Sequence, residues 1–105
     1  MKIEKRKITV AIEDASFEFI EPNAKELMDI ASTDDLDGRF RKIFNLLTKV
    51  DGVQNGKGKI NKDKFLELYD AEEIPGRLIL KIGNEAAEKI LSGGGEEKKI
   101  ALNGD

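Results

Sequence analysis

The sequence of 105 residues contains no cysteine, no histidine and no tryptophan. Without cysteine the chain can form no disulfide, and it offers no thiolate nucleophile, iron–sulfur ligand or cysteine-type zinc site. Without histidine it lacks the imidazole base on which Ser-His and Cys-His catalysis and most acid–base enzymes depend. The commonest catalytic machineries are therefore excluded.

Long hydrophobic runs are also absent. The first ten residues, MKIEKRKITV, carry charges where a signal peptide needs an apolar core. No stretch approaches the roughly 18 apolar residues of a membrane-spanning helix. We therefore expect a soluble, cytoplasmic protein. Its length suits one domain, which we predict at residues 1–92, followed by a flexible charged tail at 93–105 that opens with three glycines.

Charge is abundant but nearly balanced, at 37% charged residues and a net charge of −3. The balance hides blocks of opposite sign. Residues 1–12 carry four bases and one acid, and residues 13–37 carry nine acids and one base. Residues 38–64 carry eight bases and two acids, and residues 65–105 carry nine acids and five bases. This alternation predicts strong local fields and salt-sensitive self-association or partner docking.

Two alternating segments predict an N-terminal β-hairpin. Residues 8–12 and 16–20 each alternate apolar with polar side chains, and a short polar turn at 13–15 separates them. Because a lone hairpin is only marginally stable in water, this one must pack on helices or on the strands of another chain.

Helices are predicted after Pro22. Asn23 and Glu26 have the spacing of a capping box, and the cluster Ser32-Thr33-Asp34 suits a second N-cap. The apolar residues of the segment that follows recur at helical spacing, which predicts a long helix through Val50. These residues are Leu36, Phe40, Ile43, Phe44, Leu47 and Val50.

Two further helices are predicted beyond the glycine-rich loop at 51–59. Asn61 can cap the first, and the pattern Asp70-Ala-Glu-Glu73 resembles a capping box for the second. Apolar residues recur every four positions from Ile74 to Ile90, which predicts a final helix from about 75 to 92. A strand at 77–82 is the alternative. The fold class predicted is α+β, an N-terminal two-stranded hairpin followed by three to four α-helices.

The glycine-rich loop does not match a known ligand-binding loop. Asp51 and Asn55 occupy positions one and five of an EF-hand, but Val53 stands at position three and Lys62 replaces the bidentate glutamate. The loop also lacks the Gly-Lys-Ser/Thr of a phosphate-binding loop. Adjacent carboxylates elsewhere are explained by helix starts. We therefore predict no catalytic residue, no cofactor and no metal site, and a protein that is not an enzyme.

The basic segment 38–64 leaves a nucleic-acid-binding role open. Its lysines and arginines could contact phosphates. Its aromatic residues, Phe40 and Phe44, lie on the apolar helix face and suit a core better than base stacking. A small nucleic-acid-binding regulator is therefore one alternative.

The layout of the chain resembles that of one protein family. A basic start leads to a strand–turn–strand ending in Phe-Glu-Phe-Ile-Glu-Pro and then to a capped Asn-Ala-Lys-Glu-Leu helix. The layout continues with a longer helix and a polar loop. It ends with the segment Asn-Lys-Asp-Lys-Phe-Leu-Glu-Leu and a closing helix after Glu-Ile-Pro. Over residues 8–92 this order resembles the small phage tail assembly chaperones encoded beside the tape-measure gene.

The resemblance implies a non-enzymatic function. Such a chaperone binds the long helical tape-measure protein or tail tube subunits and keeps them soluble in the bacterial host until the tube assembles, and it can form homo-oligomers. Another phage structural protein, whose hairpin adds to a neighbour's sheet, is the second alternative. The predicted partner-binding residues, each of which could instead belong to the core, are Leu36, Phe40, Phe44, Leu47, Phe65 and Tyr69.

Overall fold

The structure, a computed structural model, describes residues 1–56 and 58–92, which form a three-stranded antiparallel sheet, a small second hairpin and four helices. The predicted α+β class is confirmed, and the predicted tail at 93–105 lies outside the described residues. The strands are β1 (Lys7–Ile12), β2 (Ala15–Ile20), β3 (Leu47–Asp51), β4 (Gln54–Asn55) and β5 (Gly58–Lys59), and the helices are α1 (Ala24–Ala31), α2 (Leu36–Phe44), α3 (Lys62–Asp70) and α4 (Gly76–Leu91).

The three-stranded sheet has the order β1-β2-β3, so β2 is its central strand. Val10 on β1 pairs with Phe17 on β2, which in turn pairs with Val50 on β3, and all three side chains are buried. Side chains alternate between the two faces of a sheet, so the neighbouring row of polar residues points away from the core. The predicted hairpin is confirmed, with helices packed against its apolar face.

The third strand corrects the prediction of a long helix through Val50. Helix α2 ends at Phe44, and residues 47–51 form β3 instead. The register of β3 shifts beside Thr48, because Glu18 pairs with Lys49 whereas Phe19 pairs with Leu47. An extra residue in one strand turns side chains three positions apart toward the same face. The spacing that suggested a helix therefore comes from an irregular strand.

Two of the predicted helix caps are confirmed. The Asn23 side chain accepts a hydrogen bond of 2.8 Å from the Glu26 amide, and the Glu26 carboxylate accepts one of 2.9 Å from the Asn23 amide. The Asn61 side chain likewise accepts a hydrogen bond of 2.9 Å from the Lys64 amide at the start of α3. These caps satisfy amides that the first turn of a helix leaves unpaired.

The other two helix starts differ from the prediction. Asp35, rather than the cluster at 32–34, caps α2 through the Gly38 amide at 2.7 Å. Helix α4 begins after Pro75, whose side chain cannot cap, so the acids at 70–73 are not a capping box for it. Proline fixes φ near the helical value and suits such a start. Because α4 is continuous from Gly76 to Leu91, the alternative of a strand at 77–82 is wrong.

A chain of aromatic rings joins the sheet to α2 and α3. The ring of Phe44 lies 6.0 Å from the rings of Phe19 and Phe65 and 4.8 Å from that of Tyr69, between centroids. Phe65 also contacts Phe17 at 5.3 Å. Such tilted pairs contribute about 0.5 to 1.5 kcal/mol each beyond their burial. Phe44 is therefore the centre of the core.

Helices α2 and α4 cross where Phe40 packs on Gly83. Both residues are buried, and a Cβ added at Gly83 would lie 2.6 Å from the Phe40 ring. The glycine thus gives α4 the close approach that the ring requires. A larger residue would force either the ring or the helix to move.

We predict that Gly83→Ala destabilises the protein. Alanine ordinarily stabilises a helix interior by about 1 kcal/mol relative to glycine, whereas overpacking a core costs about 1 to 3 kcal/mol. Because the added Cβ would clash with three atoms of the Phe40 ring, we take the upper part of that cost, about 2 to 3 kcal/mol, and expect a net loss of about 1 to 2 kcal/mol in urea unfolding followed by circular dichroism. Gly76→Ala is the matched control, because its Cβ would meet open space, and it should lose no stability. A Gly83→Ala variant as stable as the unchanged chain would contradict this packing.

Candidate docking groove

An open apolar groove of about 340 Å³ lies where three connecting segments meet. These segments are the β1–β2 turn, the stretch that follows β3, and the connection from α3 to α4. Its apolar walls come from residues far apart in sequence, and its rim carries three acids. The residues that define this acid-rimmed groove are Ile12, Val53, Ile60, Leu68, Ile74 and Leu78 on the walls, and Glu13, Asp14 and Glu73 on the rim.

One wall is built by two tight turns in contact. Glu13 and Asp14 form the two-residue turn between the paired residues Ile12 and Ala15. Gly52, which follows β3, has a φ of +79° and lies so close to this turn that a Cβ would overlap the Asp14 carbonyl oxygen. Only glycine combines that backbone conformation with that approach. The wall therefore depends on the place where β3 ends beside β2.

The opposite wall is built by the break between α3 and α4. The Glu73 amide donates a hydrogen bond of 2.9 Å to the Leu68 carbonyl and closes the end of α3. Pro75 then starts α4, and the Leu78 amide donates to its carbonyl at 3.0 Å. Leu78 and Ile82 are one helical turn apart, so they line the groove from the same face of α4.

The rim has a negative charge. None of the described residues that line the groove is a lysine or arginine, and its three carboxylates lie at exposed positions. Glu13, Asp14 and Glu73 form no ion pair within residues 1–56 and 58–92. Unneutralised carboxylates beside an apolar surface attract a partner that is both apolar and basic.

Backbone strain is concentrated at the groove. In the described part of the chain, the non-glycine residues with positive φ are Glu13, at 53°, and Glu72, at 59°. Glu13 lines the groove and Glu72 precedes its rim residue Glu73. A side chain in this region costs on the order of 1 kcal/mol or more. Glu13 takes this conformation in the two-residue hairpin turn, and Glu72 takes it where the chain leaves α3, so the turns that build the two walls account for it.

The structure disperses the six predicted partner-binding residues. Phe40, Phe44, Leu47 and Phe65 are buried, with exposed fractions of 1 to 4%, and Leu47 lies on a strand rather than on a helix. Leu36 is half exposed, and Phe65 lies at the floor of the groove. Partner contact through these residues stays a prediction, and it requires the core to open at the buried ones.

Apart from Phe65, the partner-binding residues predicted from the sequence do not include the residues that line the groove. The available signals were short acidic breaks beside apolar positions, at Ile12-Glu13-Asp14 and at Glu72-Glu73-Ile74-Pro75. From the sequence alone, both breaks are explained by turn and capping residues. Nothing in the local pattern shows that these two breaks meet in space.

Tyr69 has a buried hydroxyl without a hydrogen-bond partner among the described residues. Its ring packs on Phe44, and the guanidinium carbon of Arg41 lies 5.5 Å from the ring centroid. Burial raises the pKa of the Tyr69 phenol above its ordinary value of 10.0, and the nearby Arg41 lowers it by a smaller amount. The phenol is thus held in its neutral form.

Four of the seven described bases of segment 38–64 form ion pairs with acids of the same chain. Arg41 pairs with Asp37 at 3.2 Å, and Lys42 pairs with Asp29 at 3.0 Å. Lys62 and Lys64 also have carboxylate partners, on α3 itself. A phosphate backbone would have to compete with these pairs, which argues against a nucleic-acid surface here.

The outer edge of β1 is partly closed as well. The Lys89 ammonium on α4 donates a hydrogen bond of 2.6 Å to the Thr9 carbonyl of this edge strand. Lysine at a sheet edge hinders pairing with another strand. This contact weighs against the alternative in which the hairpin extends a neighbour's sheet.

Comparisons of the chain with models of protein families, with curated proteins and with solved structures gave no match. In residues 1–56 and 58–92, no helix has both the length and the apolar character to cross a membrane. The same residues contain no group of three or more acids that could hold a metal ion. The functional interpretation therefore depends on the groove.

We predict that Tyr69, the single tyrosine of the chain, titrates above 10.0 in the folded protein. A raised pKa means that its contribution to stability is fully present below the unfolded value and is lost as pH rises through the folded one. The near-ultraviolet absorbance of tyrosinate measures this pKa, with the urea-unfolded chain as the reference. Tyr69→Phe should gain stability relative to the unchanged chain as pH rises above 10. Equal folded and unfolded titration curves would contradict the burial of this hydroxyl.

Proposed function

We propose that the chain is a non-enzymatic binding protein whose acid-rimmed groove holds a basic amphipathic segment of a partner protein. The observation that carries this proposal is the combination of apolar walls with three rim carboxylates that form no ion pair within the described part of the chain. An amphipathic helix binds such a groove by inserting apolar residues one turn apart, while its charged flanks contact the rim.

The resemblance to phage tail assembly chaperones gives this partner a specific identity. We propose that the groove binds the tape-measure protein or tail tube subunits in the cytoplasm of the bacterial host and covers an apolar helix face until assembly. Attraction between opposite charges speeds association and remains sensitive to salt. These properties suit a chaperone that must later release its cargo.

The size of the groove predicts moderate affinity. Burying two leucine-sized side chains contributes on the order of 3 to 6 kcal/mol, and part of this gain offsets the entropy lost on association. Even with three rim charges, this favours a dissociation constant no tighter than about 1 μM. Weak binding of this kind is reversible on the time scale of assembly.

A pair of synthetic helices tests the proposal. The first has about 18 residues, enough to form a helix, with leucine on one face and lysine on the other, and its partner replaces each lysine by glutamate. We expect the basic peptide to bind in the micromolar range, and the acidic peptide at least about tenfold more weakly because it is repelled by the rim. Fluorescence anisotropy of the labelled peptides measures both affinities.

Variants of the full chain locate the binding surface. Leu78→Asp places a charge in the groove and should abolish binding of the basic peptide. Leu80→Asp, on an outward position of the same helix and outside the groove, should not change it. Glu73→Lys reverses a charge on the rim and should weaken binding. Glu88→Lys makes the same change at an exposed position of α4 outside the groove, and it should not weaken binding. Equal binding of both peptides, or an equal loss in Leu80→Asp, would overturn the proposal.

The phage assignment has its own test. We expect a tail tube gene upstream and a gene for a very long helical protein downstream. Co-expression with fragments of that long protein should give a complex on gel filtration that Leu78→Asp disrupts and Leu80→Asp preserves. A groove that binds the basic peptide but none of these fragments would contradict the phage assignment alone.

A further inference from the structure

Residues 1–5 form an exposed basic arm in front of β1. Ile3 is 93% exposed and Met1 is completely exposed, although both side chains are large and apolar. Residues 1–4 make no hydrogen bond or ion pair within residues 1–56 and 58–92. At the base of the arm, Arg6 is fixed to the Glu21 carboxylate by its amide and its guanidinium, each at 3.1 Å.

The arm has the pattern of apolar and basic side chains that we expect of a ligand for the groove. In an extended chain, residues two positions apart share a face, so Met1 and Ile3 lie together. Lys2 and Lys5 flank them, and with Glu4 between Ile3 and Lys5 the side chains of residues 1–5 carry a net charge of +1. The groove offers the complement, apolar walls and three rim carboxylates, with no ion pair to these acids and no basic lining residue among the residues that the structure describes.

We propose that the arm of one copy docks in the acid-rimmed groove of a second copy. Met1 and Ile3 enter the apolar part of the groove, and Lys2 and Lys5 approach the rim acids Glu13, Asp14 and Glu73. The inference rests on the proposed function, because it requires the groove to be a docking site, and it names a second ligand for it.

The arm cannot seat its apolar side chains in the groove of its own chain, so the contact is with another copy. The arm joins β1 at Lys7, which pairs with Ile20, whereas the groove begins at Ile12 and Glu13, at the other end of the same strand. The strand spans about 17 Å from Lys7 to Ile12 at ~3.4 Å per residue. Five extended arm residues reach at most about 18 Å, and they would first have to reverse direction. The arm is therefore too short to seat both apolar side chains in its own groove.

The consequence is regulation of the groove by self-association. The arm carries the acid Glu4 beside its two lysines, so it is a weaker ligand for the acidic rim than a basic amphipathic helix, and a partner displaces it. Without a partner, the arm covers the apolar walls and removes an exposed hydrophobic surface. Because the contact depends on attraction between opposite charges, we expect the self-association to weaken as the salt concentration rises.

Sedimentation of the full chain over a range of concentrations, at low and high salt, tests the arm. We expect reversible self-association at low salt that weakens at least fivefold at high salt. Ile3→Asp should reduce the association constant at least tenfold without affecting the fold, because the side chain lies outside the core. Met28→Asp changes another exposed apolar residue, outside both arm and groove, and should have no effect.

Mixing two variants tests the contact directly. The Ile3→Asp chain keeps an intact groove, and the Leu78→Asp chain keeps an intact arm. Each alone should be monomeric, whereas the mixture should associate, because the arm of one variant fits the groove of the other. A mixture that stays monomeric, or a wild-type chain that does not self-associate, would overturn the proposal.

Binding of the basic synthetic helix separates this inference from the proposed function. Ile3→Asp should bind that peptide at least as tightly as the unchanged chain does, because no arm competes for the groove. If the peptide binds but Ile3→Asp leaves self-association unchanged, the arm proposal fails and the proposed function stands. If neither peptide nor arm occupies the groove, both fail.

Discussion

The fold depends on the pairing of β3 with the open edge of β2. A two-stranded hairpin is marginal in water, and the third strand makes β2 a central strand with both backbone edges satisfied. The pairing also brings Val50 beside Phe17 and so completes the apolar face. Phe44 then packs over this face and joins it, through Phe65 and Tyr69, to the second half of the chain.

The groove is a consequence of that pairing. Because β3 runs antiparallel beside β2, it ends next to the β1–β2 turn, where Gly52 contacts Asp14. The same exit leads into the β4–β5 hairpin, which supplies further lining. The other wall depends on the chain turning at Glu72 and restarting at Pro75. Each wall thus forms where a regular element stops, and both turns carry acidic residues.

Local signals in the sequence predicted the elements whose formation is itself local. The caps at Asn23 and Asn61 are contacts within one element. The alternation at 8–12 and 16–20 and the four-residue repeat of α4 show which face of a single strand or helix is buried, and the geometry of that element alone fixes this spacing. Strand β3 was assigned to a helix because the irregularity at Thr48 depends on its partner β2. The groove was missed for a related reason, since its walls join residues as distant as Ile12 and Leu78.

The positions of the charges distinguish the surfaces of the molecule better than the net charge of −3 does. Arg41 and Lys42, in the middle of the chain, are held by acids on neighbouring turns and helices, so much of the basic block is neutralised internally. The arm at residues 1–5 and the groove rim retain charges of opposite sign, each beside exposed apolar groups. Pairing these two surfaces within one chain is prevented by their separation along β1. Opposite charges that cannot meet within one molecule instead favour contact between molecules, which is why the near-zero sum does not imply an inert surface.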